Sequence, residues 1–240
     1  MKRTLVQLRA ELMLIARNGE QLLLTLIIPV ILLAFFGSVD VLPTVGDDPL
    51  AFLVPGVLAV AVMSTSMVSL GIATGFERSY LVLKRLGATP LTRGQLVAAK
   101  VLSVFVVELV QCAALVPVAL GLGWNPQAGH IALVVPAILL GSSAFAGVGL
   151  ILAGSLRAEL NLAAQNGLYL VLLLLGGMII PRDSLPGALG SAAAALPSTA
   201  LADLLRTSFA GSGAVASPLI VLAAWGVLAP AVAARRFRWS

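Results

Sequence analysis

Apolar residues in this chain do not alternate with polar ones. They run on for about 20 positions at a time, and polar clusters fall between the runs. Six such stretches stand out, at 21–39, 50–76, 101–123, 131–156, 160–181 and 207–234. A helix crossing ~30 Å of hydrocarbon needs about 20 apolar residues, so each stretch is long enough to span a bilayer. Leu, Val, Ala and Ile fill them without the two-residue period of a lipid-facing barrel strand. The pattern predicts an all-α integral membrane protein with six transmembrane helices, forming a single membrane domain over 1–240.

Two further segments carry their own signal. The stretch 184–202 is free of charge but interrupted by Pro186, Gly187, Gly190 and Pro197. Those breakers predict a re-entrant or surface-lying hairpin within an outer loop, 182–206. In residues 1–19, Leu5, Leu8, Leu12, Ile15 and Ala16 share one helical face, and Arg3, Gln7, Glu11, Arg17 and Asn18 share the opposite one. This predicts an amphipathic interface helix. Arg9 and Arg17 either anchor it to anionic lipid, or it acts as a lever between a partner and the first span.

Composition narrows the class. Hydrophobic residues make up 60% of the chain and charged residues 10%, with a mean hydropathy of +1.06. Soluble domains carry about 25% charge. A soluble enzyme, a disordered chain and a secreted disulfide scaffold are therefore excluded. The lone Cys112 cannot form an intrachain disulfide, and the lone His130 leaves no basis for a histidine-rich metal site.

The net charge of +5 matters through its placement, which points to membrane topology rather than nucleic acid. Thirteen of the fifteen basic residues fall at the N-terminus, between spans two and three, between spans four and five, and at the C-terminus. Arg182 and Arg206 alone fall on the other side, with Asp40, Asp47 and Asp48. The positive-inside rule then places both termini in the cytoplasm. The apolar run after the basic N-terminus is too long and begins too late for a cleaved signal peptide.

The segment 77–100 is too long for a plain connector. It holds 24 residues, five basic groups, one acid and the apolar series Leu81, Leu83, Leu86 and Leu91. Gly87 and Pro90 predict two short helices, and Thr92 an N-cap for the next helix. Amphipathic helices beneath a membrane suit docking into a partner's groove.

The string Glu77-Arg78, then Leu83-Lys84-Arg85-Leu86-Gly87-Ala88-Thr89-Pro90-Leu91-Thr92-Arg93, with Lys100 beyond, resembles the loop of type-2 ABC exporter permeases. Pro181, Leu185-Pro186, Pro197 and Asp203-Leu-Leu-Arg206 resemble that family's proline-spaced outer loop, here read as an outer gate. Ser79-Tyr80 departs from the glycine-threonine pair of many members. Daunorubicin-resistance-type drug exporters are the most similar branch. The resemblance implies a permease in a bacterial plasma membrane, paired with a second permease chain, identical or paralogous, and with two ATPase subunits that bind ATP and Mg. It assigns ATPase coupling to Glu77, Arg78, Lys84, Arg85, Leu86, Ala88, Thr89, Pro90, Leu91 and Arg93. Consistent with a separate motor, the chain contains no Gly-x-x-x-x-Gly-Lys-Ser/Thr phosphate loop and no cofactor motif of its own.

Polar residues inside the apolar runs are candidate pathway residues. Glu108 sits about seven residues into the third run, with Gln111 one turn on. A carboxylate there faces the bundle interior, a cavity or a partner helix. Asn161 and Gln165 form an i,i+4 pair that either lines a route or bonds helices. Ser64, Thr65, Ser66 and Ser69 bond their own backbone by default. Gly71-x-x-x-Gly75 permits close helix approach, and Pro29, Pro55, Pro117, Pro136 and Pro230 fall inside apolar runs.

The expected cargo is a hydrophobic or amphipathic drug, antibiotic or lipid, since the runs offer few charges. Glycan or glycolipid export is an alternative within the family. A secondary transporter driven by an ion gradient is a different class, against which an off-centre Glu108 and the lack of a repeat both speak. Against an intramembrane serine protease using Ser142 or Ser143 with His130 stand the poor glycine-flanked serine context and a His130 expected on the outer rim.

Overall fold

The computed structural model describes residues 2–38, 49–127 and 129–236. Among them all regular structure is helical. Helix α1 (Lys2–Arg17) leads into α2 (Gly19–Ser38). Next comes one unbroken rod made of α3 (Pro49–Met63), a π-helical segment (Ser64–Ser69) and α4 (Leu70–Ser79). Short α5 (Val82–Gly87) precedes α6 (Arg93–Gly121), α7 (Val134–Ser155) and α8 (Ala158–Leu175). Then follow α9 (Gly187–Ala193), α10 (Pro197–Ala210) and α11 (Ala216–Arg236). Five helices are long and apolar enough to cross a membrane: the 31-residue rod, α6, the helix Ile131–Ser155, α8 and α11. The 20-residue α2 carries the shorter apolar stretch Thr25–Phe35. The acidic loop residues Asp40, Asp47 and Asp48, and Arg238, lie outside the described residues.

The rod is the core. Every residue from Leu53 to Met63 is buried, enclosed by α2, α6, α7 and α10. Lipid tails are as apolar as leucine, so the hydrophobic effect gives membrane helices little reason to associate. Close packing and polar bonds must do so instead. Helix α7 shows the first device. It packs along α11 at Gly147, where an added Cβ would lie 2.5 Å from the backbone of Ala229 and Pro230.

Several boundaries differ from the sequence-based expectation. The basic loop forms one short helix, not two, because Thr92 caps α6 at once. The Thr92 hydroxyl accepts from the Gln95 amide while the Gln95 side chain accepts from the Thr92 amide. With no breaker before Pro117, α6 runs 29 residues. Glu108 therefore lies near the middle of this longer helix, while its place seven residues into the apolar run is unchanged. The fifth run ends at Leu175, where Gly176 caps the helix and Gly177 turns to φ +65°.

The sixth run does not begin at residue 207. Residues 207–210 belong to α10, which Gly211 ends in the left-handed conformation at φ +66°. Helices α9 and α10 meet at 79°, and α10 is buried along most of its length, so the outer hairpin is a re-entrant element inside the bundle. Pro136 falls in the first turn of α7, where a missing amide costs no helical bond.

Candidate functional site

The basic elbow divides into a root and a tip. Leu83 is fully buried and anchors α5 against Leu70, Leu96, Val97 and Leu150, with Leu86 and Leu91 half-buried beside it. Arg78 is also inward, its Nη1 donating to the Ala153 and Leu156 carbonyls at the end of α7, at 3.2 and 3.3 Å. Lys84, Arg85, Ala88, Thr89, Pro90 and Arg93 are exposed. So are Tyr80 and Leu81, at 71% and 52%. Leu81 takes φ +60°, a left-handed conformation that costs a leucine about 1–2 kcal/mol and turns the chain sharply at the tip.

Glu77 is not part of the exposed tip. The Lys100 ammonium, 1% exposed, lies 2.8 Å from Glu77 Oε2 and 3.1 Å from Glu11 Oε2. This three-residue ion cluster joins the end of the rod, the start of α6 and the interface helix. It turns the Glu11 side of α1 toward the bundle and leaves Leu5 on the outer side. Glu11 is buried against α6 and Leu5 is 59% exposed, because a buried lysine needs carboxylates more than the bundle needs another leucine. Leu12 is half-buried, while Arg9 and Arg17 are exposed. A second strap comes from Arg3, whose Nη1 donates to the Pro90 carbonyl at 2.7 Å.

Midway through the bundle the π-helical segment faces a polar cluster. Thr65 donates to Gln111 Oε1 at 3.1 Å, and Gln111 Nε2 donates to the Thr25 carbonyl at 2.7 Å, linking the rod, α6 and α2. Ser66 bonds back to the Val62 carbonyl, as expected of a membrane serine, whereas Thr65 does not. Glu108 is fully buried and shares a hydrogen bond with Ser142 of α7. Ser143 donates to the Gly226 carbonyl, so neither serine pairs with His130.

Asn161 and Gln165 are fully buried in the seam between α8 and its neighbours. Asn161 Nδ2 donates to the Gly71 carbonyl, and Gln165 Nε2 donates to the Gly149 carbonyl, both at 2.9 Å. The glycine pair is the matching half of that seam. A Cβ on Gly71 would lie 2.0 Å from Gln165 Nε2, and one on Gly75 2.4 Å from Asn161 Nδ2. Substituting Gly71 by alanine should cost about 1–3 kcal/mol through overpacking. The G71A/Q165A double variant should recover part of that loss. Thermal melting of the purified chain checks both, and a G71A protein as stable as wild type would contradict the seam.

At the opposite end Arg206 of α10 gathers three elements. Its Nη2 donates to the Gly177 and Met178 carbonyls at 2.6 and 2.9 Å, and its guanidinium lies 3.8 Å from the centre of the Phe52 ring. Asp203 bridges it to Arg182, at 3.6 and 3.5 Å. Asp203 thus holds both arginines of the outer loop, Arg182 and Arg206. Pro181 and Pro197 are buried, and Pro186 precedes α9.

Two cavities lie along this arrangement. One of about 500 Å³ runs between α2 and the rod, lined by Pro29, Leu32, Val60, Ser64 and Val68, with Tyr169 of α8 at its flank. The other, about 380 Å³, has Leu14, Leu22 and Val104 as apolar walls and Glu11, Glu77 and Lys100 among its lining. They share Asn18, Thr25, Ser69 and Ala73.

Charge complementarity between Glu11 and Lys100 was open to inspection in the sequence, but a separation of 89 positions hid the pairing. Ser66 and Ser142 had no signal beyond being serines in apolar runs.

No curated protein matches the chain. The family model described as "ABC-2 type transporter" matches residues 3–210. That stretch takes in the interface helix, the elbow, the ion cluster and the re-entrant α9–α10 pair, and the chain accordingly belongs to the ABC-2 type transporter family as a multi-pass membrane permease.

Proposed function

We propose that this chain is the permease subunit of an ABC exporter, carrying a hydrophobic or amphipathic drug, antibiotic or lipid-like solute. A separate pair of ATPase subunits binds ATP and Mg and supplies the force. A second permease chain, identical or paralogous, completes the path. The cavity between α2 and the rod fits such a cargo, being walled by apolar side chains with a few hydroxyl and amide groups to orient it. The membrane is the bacterial plasma membrane, with the termini and elbow in the cytoplasm.

One observation carries this reading. The elbow is firmly rooted and openly tipped. Leu83, Arg78 and the Glu11–Lys100–Glu77 cluster bind its base to three helices, while Arg85, Arg93, Tyr80 and Leu81 project outward. A displacement applied at the tip is passed to the rod and α6 together. Exposed charges at such a rim set partner choice and register more than affinity.

The test acts on the tip alone. Reversing Arg85 and Arg93 to glutamate should abolish co-purification with the partner ATPase and leave the melting of the permease unchanged. Retained co-purification and transport in this variant would refute the docking. Glu77 is unsuited to the experiment because its reversal would break the buried cluster.

A further inference from the structure

Glu108 has a bonding arrangement that a carboxylate does not satisfy. The side chain is fully buried at the middle of α6, at bilayer depth. The groups that meet it are Ser66 from the π-helical segment, Ser142 from α7 and, one turn along its own helix, Cys112. It shares no ion pair with any lysine, arginine or histidine among the described residues. Its Oε1 has no hydrogen-bond partner.

Proton counting decides the species. A serine hydroxyl has one proton to donate. Ser142 has the Ile138 carbonyl at 2.7 Å, and Ser66 has the Val62 carbonyl at 2.5 Å, the back-bonds that serines make in membrane helices. With both protons committed, each serine offers Glu108 only lone pairs. An ionised carboxylate would add two more acceptors to them. If the hydroxyls turned toward it instead, a full charge would remain in the core with no cation and one bare oxygen, which a low-dielectric interior disfavours. A carboxylic acid removes the conflict. Its Oε2–H donates to Ser142 Oγ, the Ser142 proton goes to Ile138, and Oε1 is an ordinary carbonyl oxygen.

We propose that Glu108 is a proton-binding site, occupied in this arrangement, which closes the seam between α6, α7 and the π-helical segment. The proton leaves when that segment moves away and water reaches Oε1. Because the same rod ends at the elbow, proton binding and the position of the rod are linked, and lower pH favours the closed seam. Wide π turns are frequent at functional positions in helices. The site goes beyond the permease reading and stands whether or not an ATPase drives the chain.

Infrared difference spectroscopy of the full chain in lipid nanodiscs, wild type against E108Q, reads the species directly. The expected result at neutral pH is a protonated-carboxyl C=O stretch in wild type that is missing in E108Q. The glutamine keeps an N–H donor for Ser142 and should preserve folding. A difference spectrum showing only ionised-carboxylate bands would overturn the proposal. Cys112 is the chain's single cysteine and reports on opening of the seam. Its alkylation rate in wild type, divided by that in E108Q at the same pH, should climb severalfold as pH rises; a charged Glu108 beside the thiol would by itself slow the reaction, so a climb reports opening. A ratio flat with pH would overturn the link to rod movement. Neither measurement needs ATPase or cargo, so their failure leaves the permease reading standing, and loss of that reading leaves them unaffected.

Discussion

Replacing Lys100 by methionine should destabilise the protein by about 3–5 kcal/mol, the usual cost of removing one partner from a buried ion cluster. The reason is electrostatic rather than steric. Lys100 is among the largest fully buried side chains of the described residues, and methionine is one atom shorter and unbranched like it. What disappears is the positive charge between Glu11 and Glu77, 3.1 and 2.8 Å away. Two carboxylates would then face each other in a largely desolvated pocket, and α1 would lose its hold on α6. Thermal melting in lipid and limited proteolysis of α1 check this.

The triple variant E11Q/E77Q/K100M is the informative control. Replacing a whole buried cluster is often near neutral where breaking it is costly. The triple variant should therefore melt much closer to wild type than K100M alone. If it also transports normally, the cluster only holds the bundle together. If it folds but hydrolyses ATP in complex without moving cargo, the cluster transmits the stroke. A K100M protein as stable as wild type would contradict the geometry at its base.

The second large effect is expected at Arg206. Its fork binds two carbonyls at once and rests on Phe52, so it fastens α10 to the turn after α8 and to the start of the rod. The side chain is 18% exposed, which keeps most of the worth of its charge-assisted bonds, about 1.5–3 kcal/mol each. R206M should lose both bonds and leave the Met178 carbonyl, on a residue that is fully buried, without this donor. R206K is the sharper probe. Lysine keeps the charge for Asp203 but not the planar fork. It should recover less than half of the loss in melting, and transport assays should show passive leak if α10 closes the outer end of the path. Full rescue by lysine would show that charge alone matters there.

What was legible in the sequence follows from what the bilayer dictates. Backbone groups must be satisfied within each segment, so a run of some 20 apolar residues has one available structure. The spans, the breaker-rich hairpin and the Thr92 cap depend on neighbours a few positions away. The family followed from a contiguous string in the elbow for the same reason. Boundaries failed where glycine conformations decided them. Gly177 and Gly211 take positive φ, and nothing local distinguishes them from glycines inside helices, such as Gly147.

The site was legible only in part. Residue type singled out Glu108, Gln111, Asn161, Gln165 and Arg206 as polar groups with something to do in an apolar setting. Apart from Asp203 beside Arg206 and Asn161 beside Gln165, their partners are backbone carbonyls and side chains brought together from 16 to 154 positions away. Sequence periodicity assigned Glu11 to the polar face and Leu5 to the apolar face of an interface helix. Tertiary structure added what the polar face meets, a buried ammonium that draws Glu11 into the protein. Along this chain, then, local pattern determined which segments are helices and which lie in the membrane. Folding alone decided which charges are used inside the protein and which remain exposed at the elbow, since that depends on distances in space that no spacing along the chain encodes.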